Sequence, residues 1–384
     1  MKICFVTHKV KKGDGQGRVN YEVIMEALKE GCEVMVISSE LSEDLQNHAM
    51  VEWIRIKVPK IPTVLLRYQI FAVTSAFSIW LRQSSIDLLV VNGFITYARS
   101  DINCVHFVHS SWVKSKYHPF RERKDIRTLY QFVYNRLNAI LERVALKRTR
   151  HIIAVSEKVK RDLVFDAKIG SPRISVIHNG VDTEEFYPRQ ANRSNYKLDE
   201  HMTYALFAGD LNSGIKNLDT VFHALSEVED IHLLVLGDPE RSRYPKLAEQ
   251  LGLGKRVHFL GYRKDIADIM PLADLFIFPS RYETFSLVIL EAMASGLPVI
   301  ISSSCGVAEL LSEDGAVVIE DPDDVKSLAN VLRELVSNPK RLERMALLAR
   351  EEALRNHWGV MANKYMEIFQ HSTNSDRLPV SKQA

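Results

Sequence analysis

A chain of 384 residues, 46% hydrophobic and 26% charged, has the composition of an ordinary soluble globular protein with length for two or three domains. A net charge of +2 gives no reason to expect nucleic acid as a partner, and no nucleic-acid motif is present. The four cysteines, Cys4, Cys32, Cys104 and Cys305, are isolated, which fits a reduced, cytoplasmic setting better than a secreted disulfide framework.

In chain order, Lys2–Thr7 is an apolar run of strand character, so no signal peptide is expected ahead of it. The Gly-rich turn Lys11-Lys-Gly-Asp-Gly-Gln-Gly-Arg18 leads into an amphipathic helix with Val23, Ile24, Ala27 and Leu28 inward, ended by Gly31. A strand over Cys32–Ser38 completes a βαβ unit. Open α/β sheets place ligands at such turns, because glycines let the backbone approach a phosphate or sugar closely, though a plain βα loop is the simpler reading. A strand at Val51–Val58 follows. Tyr68 to Leu81 is an uncharged run of 14 residues, short for a membrane span and expected to be a packed helix. Strands at Asp87–Val91 and Ile102–Val108 come next. The last runs into His109-Ser-Ser-Trp112, where a histidine can hydrogen-bond a sugar hydroxyl or assist charge movement, or be satisfied by backbone. Alternation puts His106 on the other face.

Residues 121–150 carry nine Lys/Arg against three Asp/Glu, a local +6. The segment reads as a long helix with Leu129, Phe132, Val133, Leu137, Ile140, Leu141 and Val144 as its buried stripe. Its basic residues form either a solvated face or an attraction to anionic lipid headgroups or a phosphate-bearing acceptor. Strands at His151–Ser156 and Arg173–Gly180 close the first half. Arg189–Glu200 reads as a polar linker. The second half restarts the alternation with strands at Tyr204–Ala208, His232–Leu236, Val257–Leu260, Asp274–Phe278, Val299–Ser302 and Ala316–Ile319. Near-continuous apolar runs of this length point to all-parallel strands buried on both faces, hence to paired Rossmann-like domains. Asp321-Pro-Asp-Asp324 reads as a helix start rather than a metal site. Arg341–Gln370 is strongly helical, and His371–Ala384 is a polar tail.

The most informative stretch is Pro279-Ser-Arg-Tyr-Glu283-Thr-Phe-Ser-Leu-Val-Ile-Leu-Glu291-Ala-Met-Ala-Ser-Gly-Leu-Pro298. A buried strand ends at Phe278, and a short helix is expected from about Ser286 to Ser295, stopped by Gly296 and Pro298. Free amides and dipole charge at its start make an anion site. Glu283 in the loop and Glu291 on the second turn frame that site, because helical side chains lean toward the N-terminus. Phosphate on the amides and hydroxyls on the acids would suit a sugar nucleotide. Acids that cap or pair locally are the plainer alternative.

Glu283 to Glu291, with Phe285-Ser286-Leu287-Val288 between and Glu-Ala-Met-Ala-Ser-Gly-Leu-Pro-Val following, resembles the signature of the retaining family-4 glycosyltransferases of the GT-B fold. The resemblance covers residues 1 to about 370. It implies an α/β protein of two Rossmann-like domains facing across a cleft: an acceptor domain of residues 1–178 plus 359–384, and a nucleotide-sugar domain of residues 179–358. A last helix, broken near Trp358, is expected to cross back to the first domain. Gly15 and Arg18 match the family's Gly-Gly…Arg turn as donor-side or acceptor-side contacts, with Asp14 in place of the first glycine. The resemblance raises His109 as the histidine facing the donor sugar. Lys216 matches the lysine of the loop after Ala208, but no arginine occurs from 209 to 216, where the family usually has one. That departure implies weaker donor binding, or an arginine such as Arg18 or Arg263 supplied from elsewhere. Gly261-Tyr262-Arg263 is similar to the segment that holds the nucleobase, and Gly237 ends a strand on the same side. Glu291 would hold ribose hydroxyls and Glu283 sugar hydroxyls. Thr284, Phe285, Ser286 and Leu287, with Lys216, would receive the diphosphate.

The expectation is a retaining hexosyltransferase using UDP-glucose and a saccharide or lipid-linked saccharide acceptor, without metal or other cofactor. It would be cytoplasmic, with an anionic membrane surface as a further partner through 121–150. The alternative from another class is a non-catalytic sugar-nucleotide-binding protein. An NAD-linked dehydrogenase fails for want of Gly-x-Gly-x-x-Gly after Thr7 with a ribose-binding acid beyond.

Overall fold

The computed structural model describes residues 1–59 and 61–374, and the chain divides into two compact units. The first comprises Met1–Asn179 and the segment that begins at Trp358; the second is Gly180–His357.

Continuous apolar runs become central strands because parallel neighbours satisfy their backbone while both faces stay dry. In the first unit seven parallel strands lie in the order Val51–Arg55, Glu33–Ser38, Lys2–Val6, Leu88–Asn92, Ile102–Val105, His151–Ala154, Ile174–Val176. In the second, six lie in the order Val257–Gly261, Ile231–Leu236, Thr203–Ala208, Leu275–Phe278, Val299–Ser302, Ala316–Ile319. In its own strand sequence the first sheet thus runs 3-2-1-4-5-6-7 and the second 3-2-1-4-5-6, and each reverses between its first and fourth strands. Ligands of doubly wound sheets bind beyond the carboxyl ends of that pair.

The helix Gly15–Lys29 buries Val23, Ile24, Ala27 and Leu28 against the first sheet. Gly17 leaves room for the cap: a Cβ there would lie 3.0 Å from both Asp14 Cβ and Oδ1 and press on the capping side chain. Helix Pro339–Arg355 ends at Asn356, and Trp358–Asn374 begins in the other unit. The returning helix seats Met361, Ala362, Tyr365, Met366 and Phe369 in the first unit's core. Each of the larger ones contributes roughly 1.5–3 kcal/mol of burial. The expected tail is helical through Asn374; the remainder lies outside the described residues.

Three expectations are refined. The polar linker of residues 189–200 is tied down: Arg193 forms a two-pronged pair with Asp274 (2.8 Å to each oxygen) and donates to the Leu272 and Met202 carbonyls at 3.0 Å, strapping the segment to its sheet. The helix Ile126–Arg148 keeps only part of its expected stripe inward. It buries Thr128, Asn135, Asn138, Glu142 and Leu146; of the expected stripe Phe132, Leu137 and Leu141 are half-buried, while Leu129, Val133, Ile140 and Val144, with Ile126 (88% exposed), face outward. Periodicity had located an apolar stripe and assumed its side; the buried side is held by polar bonds instead. The helix Val64–Trp80, which holds the uncharged run, fully buries only Phe71, Ala72, Ser75 and Ile79 and leaves Leu66, Val73, Phe77 and Trp80 (61%) exposed.

Glu142 is the most consequential of the buried polar groups. It accepts the His109 backbone N–H at 3.0 Å, and burial drives its carboxyl pKa up to about 8 despite bonds that favour the charged form. A folded-state pKa above the ordinary value means the folded chain holds the proton longer, so this contribution is complete below about pH 4.5 and lost as pH rises through about 8. Thermal melts of Glu142→Gln and wild type from pH 4.5 to 8.5 should therefore diverge as pH rises, with wild type losing ground to the variant; parallel curves would contradict this assignment.

Candidate active site

The reversal point of the second sheet is built by two loops, one after Thr203–Ala208 and one after Leu275–Phe278. The first holds Lys216 in a short 3₁₀ turn, Gly214–Lys216. Asn217, fully buried and in a left-handed conformation (φ 61°), ends that turn and also caps the next helix. Its Nδ2 donates to the Pro279 carbonyl (3.0 Å) and the Pro322 carbonyl (2.5 Å), and its Oδ1 accepts from Thr220 Oγ1 (2.9 Å). A left-handed residue is tolerable for asparagine, and its amide satisfies backbone groups that burial has cut off from water. The effect is to fasten one loop to the other. Ser280 adds an Oγ bond to the Ile215 carbonyl at 3.1 Å.

Lys216 is thereby set with its ammonium 5.4 Å from the Phe278 ring centroid and in an ion pair with Glu283. Both side chains are mostly buried, so the pair is screened less than a surface pair would be. Glu283 is fixed from behind by backbone: its carbonyl accepts from Gly306 N–H (3.2 Å) and its N–H donates to the Ser304 carbonyl (3.3 Å). The Phe285 carbonyl accepts from Val307 N–H at 3.1 Å.

Ser286 then turns the chain at φ 83°, ψ 99° into the helix Leu287–Ala294. A non-glycine residue in this region stores on the order of 1–3 kcal/mol, which a surrounding framework must impose. Ser286 makes no side-chain capping bond, and no acid occupies the first turn. The positive end of the helix dipole is thus not neutralised by a side chain of its own first turn. Phe285 is buried, Thr284 and Leu287 are half-buried, and the half-buried Glu291 stands on the second turn of this otherwise apolar helix.

Gly209, Gly237 and Gly261 step across the neighbouring strand ends: Gly209 N–H donates to Leu236 O (2.9 Å), and Gly237 N–H to Gly261 O (3.0 Å). A Cβ on Gly237 would collide with the Gly209 carbonyl oxygen and lie 2.7 Å from Leu211 Cγ. Tyr262 follows on the edge strand and is exposed.

Neither arginine considered as a substitute for the missing loop arginine is idle. Arg263 is held in a two-pronged pair by Asp265 (2.8 and 2.5 Å). Arg18 pairs with Glu22 at 2.6 Å and lies over the Trp358 ring. The arginine that reaches the loop is Arg281, overlooked in the sequence because it comes from the other loop. Its Nη1 donates to the Gly214 carbonyl (2.7 Å), its backbone N–H to the Ile215 carbonyl (2.8 Å), and its Nε to Asp323 (2.7 Å).

In the first unit, Gly15 opens its helix, whose start is capped by Asp14 accepting from Gly17 N–H (2.8 Å). His109 begins the short helix His109–Lys114 after the Ile102–Val105 strand. Desolvation lowers the pKa values of His109 and of neighbouring His106 to about 4, so both rings are neutral at pH 7. The His109 ring packs edge-on to Phe107 at 5.0 Å, and its Nδ1 lies 3.2 Å from the Asn135 amide.

Two parallel sheets, each built on the 3-2-1-4 reversal, one of seven strands and one of six, match the GT-B class of glycosyltransferase folds. The WaaG crystal structure, described as a glycosyltransferase involved in lipopolysaccharide biosynthesis, matches 95% of this chain and 99% of its own, with a TM-score of 0.77 at 23% identity. Anabaena HepE in complex with UDP and glucose matches 96% of this chain and 99% of its own, with a TM-score of 0.72 at 18% identity. Two family models match in tandem, Glycosyltransferase Family 4 over residues 13–185 and Glycosyl transferases group 1 over residues 188–352. The chain belongs to the family-4 glycosyltransferases. It is similar to the D-inositol 3-phosphate glycosyltransferase of Mycobacterium sp. (strain KMS), 31% identical over 222 residues, 55% of this chain and 50% of that protein. It is also similar to lipopolysaccharide glucosyltransferase WaaG of Escherichia coli (strain K12), 27% identical over 208 residues, 51% of this chain and 55% of that protein. The matched regions span about half the length of these curated relatives.

Replacing Asn217 by alanine removes two donors from buried carbonyls and puts a residue with no compensating side chain at positive φ. The expected cost is on the order of 3 kcal/mol, read as a lower urea midpoint for the unfolding of the second unit. An unchanged midpoint would show that the two loops are not fastened by this residue.

Proposed function

We propose that this chain is a retaining hexosyltransferase that moves glucose from UDP-glucose onto a saccharide or lipid-linked saccharide during polysaccharide or glycoconjugate assembly. The observation that carries the reading is the Lys216–Glu283 pair set beside a helix start that has neither a side-chain cap nor an acid in its first turn. As the donor breaks, negative charge grows on the leaving diphosphate. Lys216, once exchanged from Glu283, and the amides leading into Leu287–Ala294 would receive it, and their attraction strengthens as that charge develops. Glu291 takes the ribose hydroxyls and Glu283 the hexose hydroxyls, as charged acceptors of short hydrogen bonds. Gly237 and Gly261-Tyr262-Arg263 lie toward the base. Gly15, Arg18 and His109 belong to the acceptor unit and its contacts with the donor sugar. Retention would then run by departure and attack on one face of the sugar, the route that the resemblance to the retaining family implies. Support comes from WaaG, named a glucosyltransferase, and from HepE, solved with UDP and glucose. The nucleotide sugar serves as co-substrate, with no metal needed while Lys216 and the helix meet the diphosphate charge. Non-catalytic binding of a sugar nucleotide is the second reading, favoured by the absence of arginine from 209 to 216.

The acceptor side also suggests a location. Ile126, Leu129, Val133, Ile140 and Val144 make one outward stripe, and Leu66, Val73, Phe77 and Trp80 another. The two helices touch where Leu65 N–H donates to the Tyr130 hydroxyl (3.4 Å). Exposed apolar and aromatic rows beside a +6 segment suit the inner face of an anionic membrane, apolar groups entering the interface and Lys/Arg meeting headgroups. No helix among the described residues is long and apolar enough to cross a membrane.

Two measurements follow. Lys216→Ala and Glu291→Ala should each lower kcat for UDP release coupled to acceptor glycosylation by about 10²–10³-fold, with native circular dichroism and with wild-type rates unchanged by EDTA. Wild-type turnover by either variant would remove that residue's role, and no turnover by the parent on any acceptor would favour the binding-protein reading. In flotation assays, vesicles with phosphatidylglycerol should carry the protein up and pure phosphatidylcholine vesicles should not, with Phe77→Ser/Trp80→Ser weakening the association; equal recovery on both lipids would rule out the charge-dependent surface.

A further inference from the structure

Behind His109 lies a row of polar groups that the transfer reaction does not itself require. Asn135 is held between two histidines, with Oδ1 3.2 Å from His109 Nδ1 and Nδ2 3.2 Å from His118 Nε2. His118 is 1% exposed, and its other ring nitrogen, Nδ1, lies 3.3 Å from Phe120 N. Both histidines are driven toward the neutral form by burial.

The protons in this row can be counted from one fixed end. A backbone N–H can only donate, so His118 Nδ1 is an acceptor and carries no proton. A neutral imidazole has one proton, which therefore sits on His118 Nε2. That N–H needs an acceptor 3.2 Å away, and an amide NH₂ cannot serve. The oxygen and nitrogen of an amide are told apart by their partners. Here the consistent arrangement turns the Asn135 amide by half a rotation, at the same heavy-atom distances, so that its oxygen accepts from His118 and its nitrogen donates to His109 Nδ1. His109 Nδ1 then carries no proton either, and the single proton of that ring is on Nε2.

We propose that His118 and Asn135 are positioning residues that lock His109 as the Nε2–H tautomer, making it a hydrogen-bond donor. A ring so fixed takes an oxygen lone pair, such as a hydroxyl oxygen of a hexose, and does not act as a general base through Nε2. Glu142, bonded to the His109 backbone N–H, anchors the same residue from the main-chain side, and Phe107 and Tyr134 flank its ring. The consequence for transfer rests on the reading of His109 as a donor-sugar contact. The tautomer itself does not.

The experiment is long-range ¹H–¹⁵N correlation on the full chain labelled at histidine nitrogen, at pH 7 and without donor, with His109 and His118 assigned by the signals lost in His109→Ala and His118→Gln. Both rings should appear protonated at Nε2 and bare at Nδ1. Asn135→Asp offers only acceptors: it should keep the His118 proton at Nε2, pull the His109 proton to Nδ1, and lower kcat at least tenfold. Nδ1–H on His109 in the wild-type protein would overturn the proposal, as would an unchanged His109 tautomer in folded Asn135→Asp. If the Nε2–H form is found but His109→Ala transfers sugar at the wild-type rate, the lock stands and the reading of His109 as a donor-sugar contact falls.

Discussion

The geometry of the proposed nucleotide site depends on Asn217. Its amide joins the loop after one strand to the loop after another, and to the start of a third segment at Pro322. That clamp works together with the Ser280 and Arg281 bonds to the Gly214 and Ile215 carbonyls, so the 3₁₀ turn bearing Lys216 is held from several sides. With these bonds, Lys216, Glu283 and the entry to Leu287–Ala294 are held in one place by residues that never touch a substrate. Strain at Ser286 belongs to the same construction. The bonds that pin Glu283 and Phe285 to Ser304, Gly306 and Val307 hold the chain on both sides of a backbone conformation serine would not choose.

Charge at the site is arranged to be incomplete. Lys216 is matched by Glu283, Arg281 by Asp323, and Arg263 by Asp265. The positive helix end has no such side-chain partner in its first turn. Under the proposed function an arriving diphosphate would compete with Glu283 for Lys216, and displacement would turn Glu283 toward the sugar it is proposed to bind. The departure noticed in the sequence, a loop without arginine, acquires a physical meaning. Arg281 occupies the neighbourhood as a brace on the Gly214 and Ile215 carbonyls.

Much of the fold was legible in the sequence because parallel strands buried on both faces leave unbroken apolar runs, and helices stopped by Gly31, Gly296 or the Asn356–Trp358 break carry their own punctuation. What was not legible has a common cause. The helix Ile126–Arg148 shows a true apolar stripe, but period alone does not say which side meets the core. Thr128, Asn135 and Glu142 win the inside through bonds to partners remote in sequence or to local backbone. Arg193 made its segment look like a linker, and only the fold brings it to Asp274. Asn217 reads as an unremarkable loop residue until its acceptors, 62 and 105 positions away, are in place. Glu283 and Glu291, by contrast, were visible because a local strand–loop–helix carries both.

The central claim is that the helix end beyond Phe278, with Lys216, grips the diphosphate while Glu291 reads the ribose. A crystal structure with UDP bound tests it most directly. The account predicts phosphate oxygens within hydrogen-bond distance of Lys216 Nζ and of the amides around Phe285–Leu287, and ribose hydroxyls on the Glu291 carboxylate. A diphosphate bound away from these groups would contradict it.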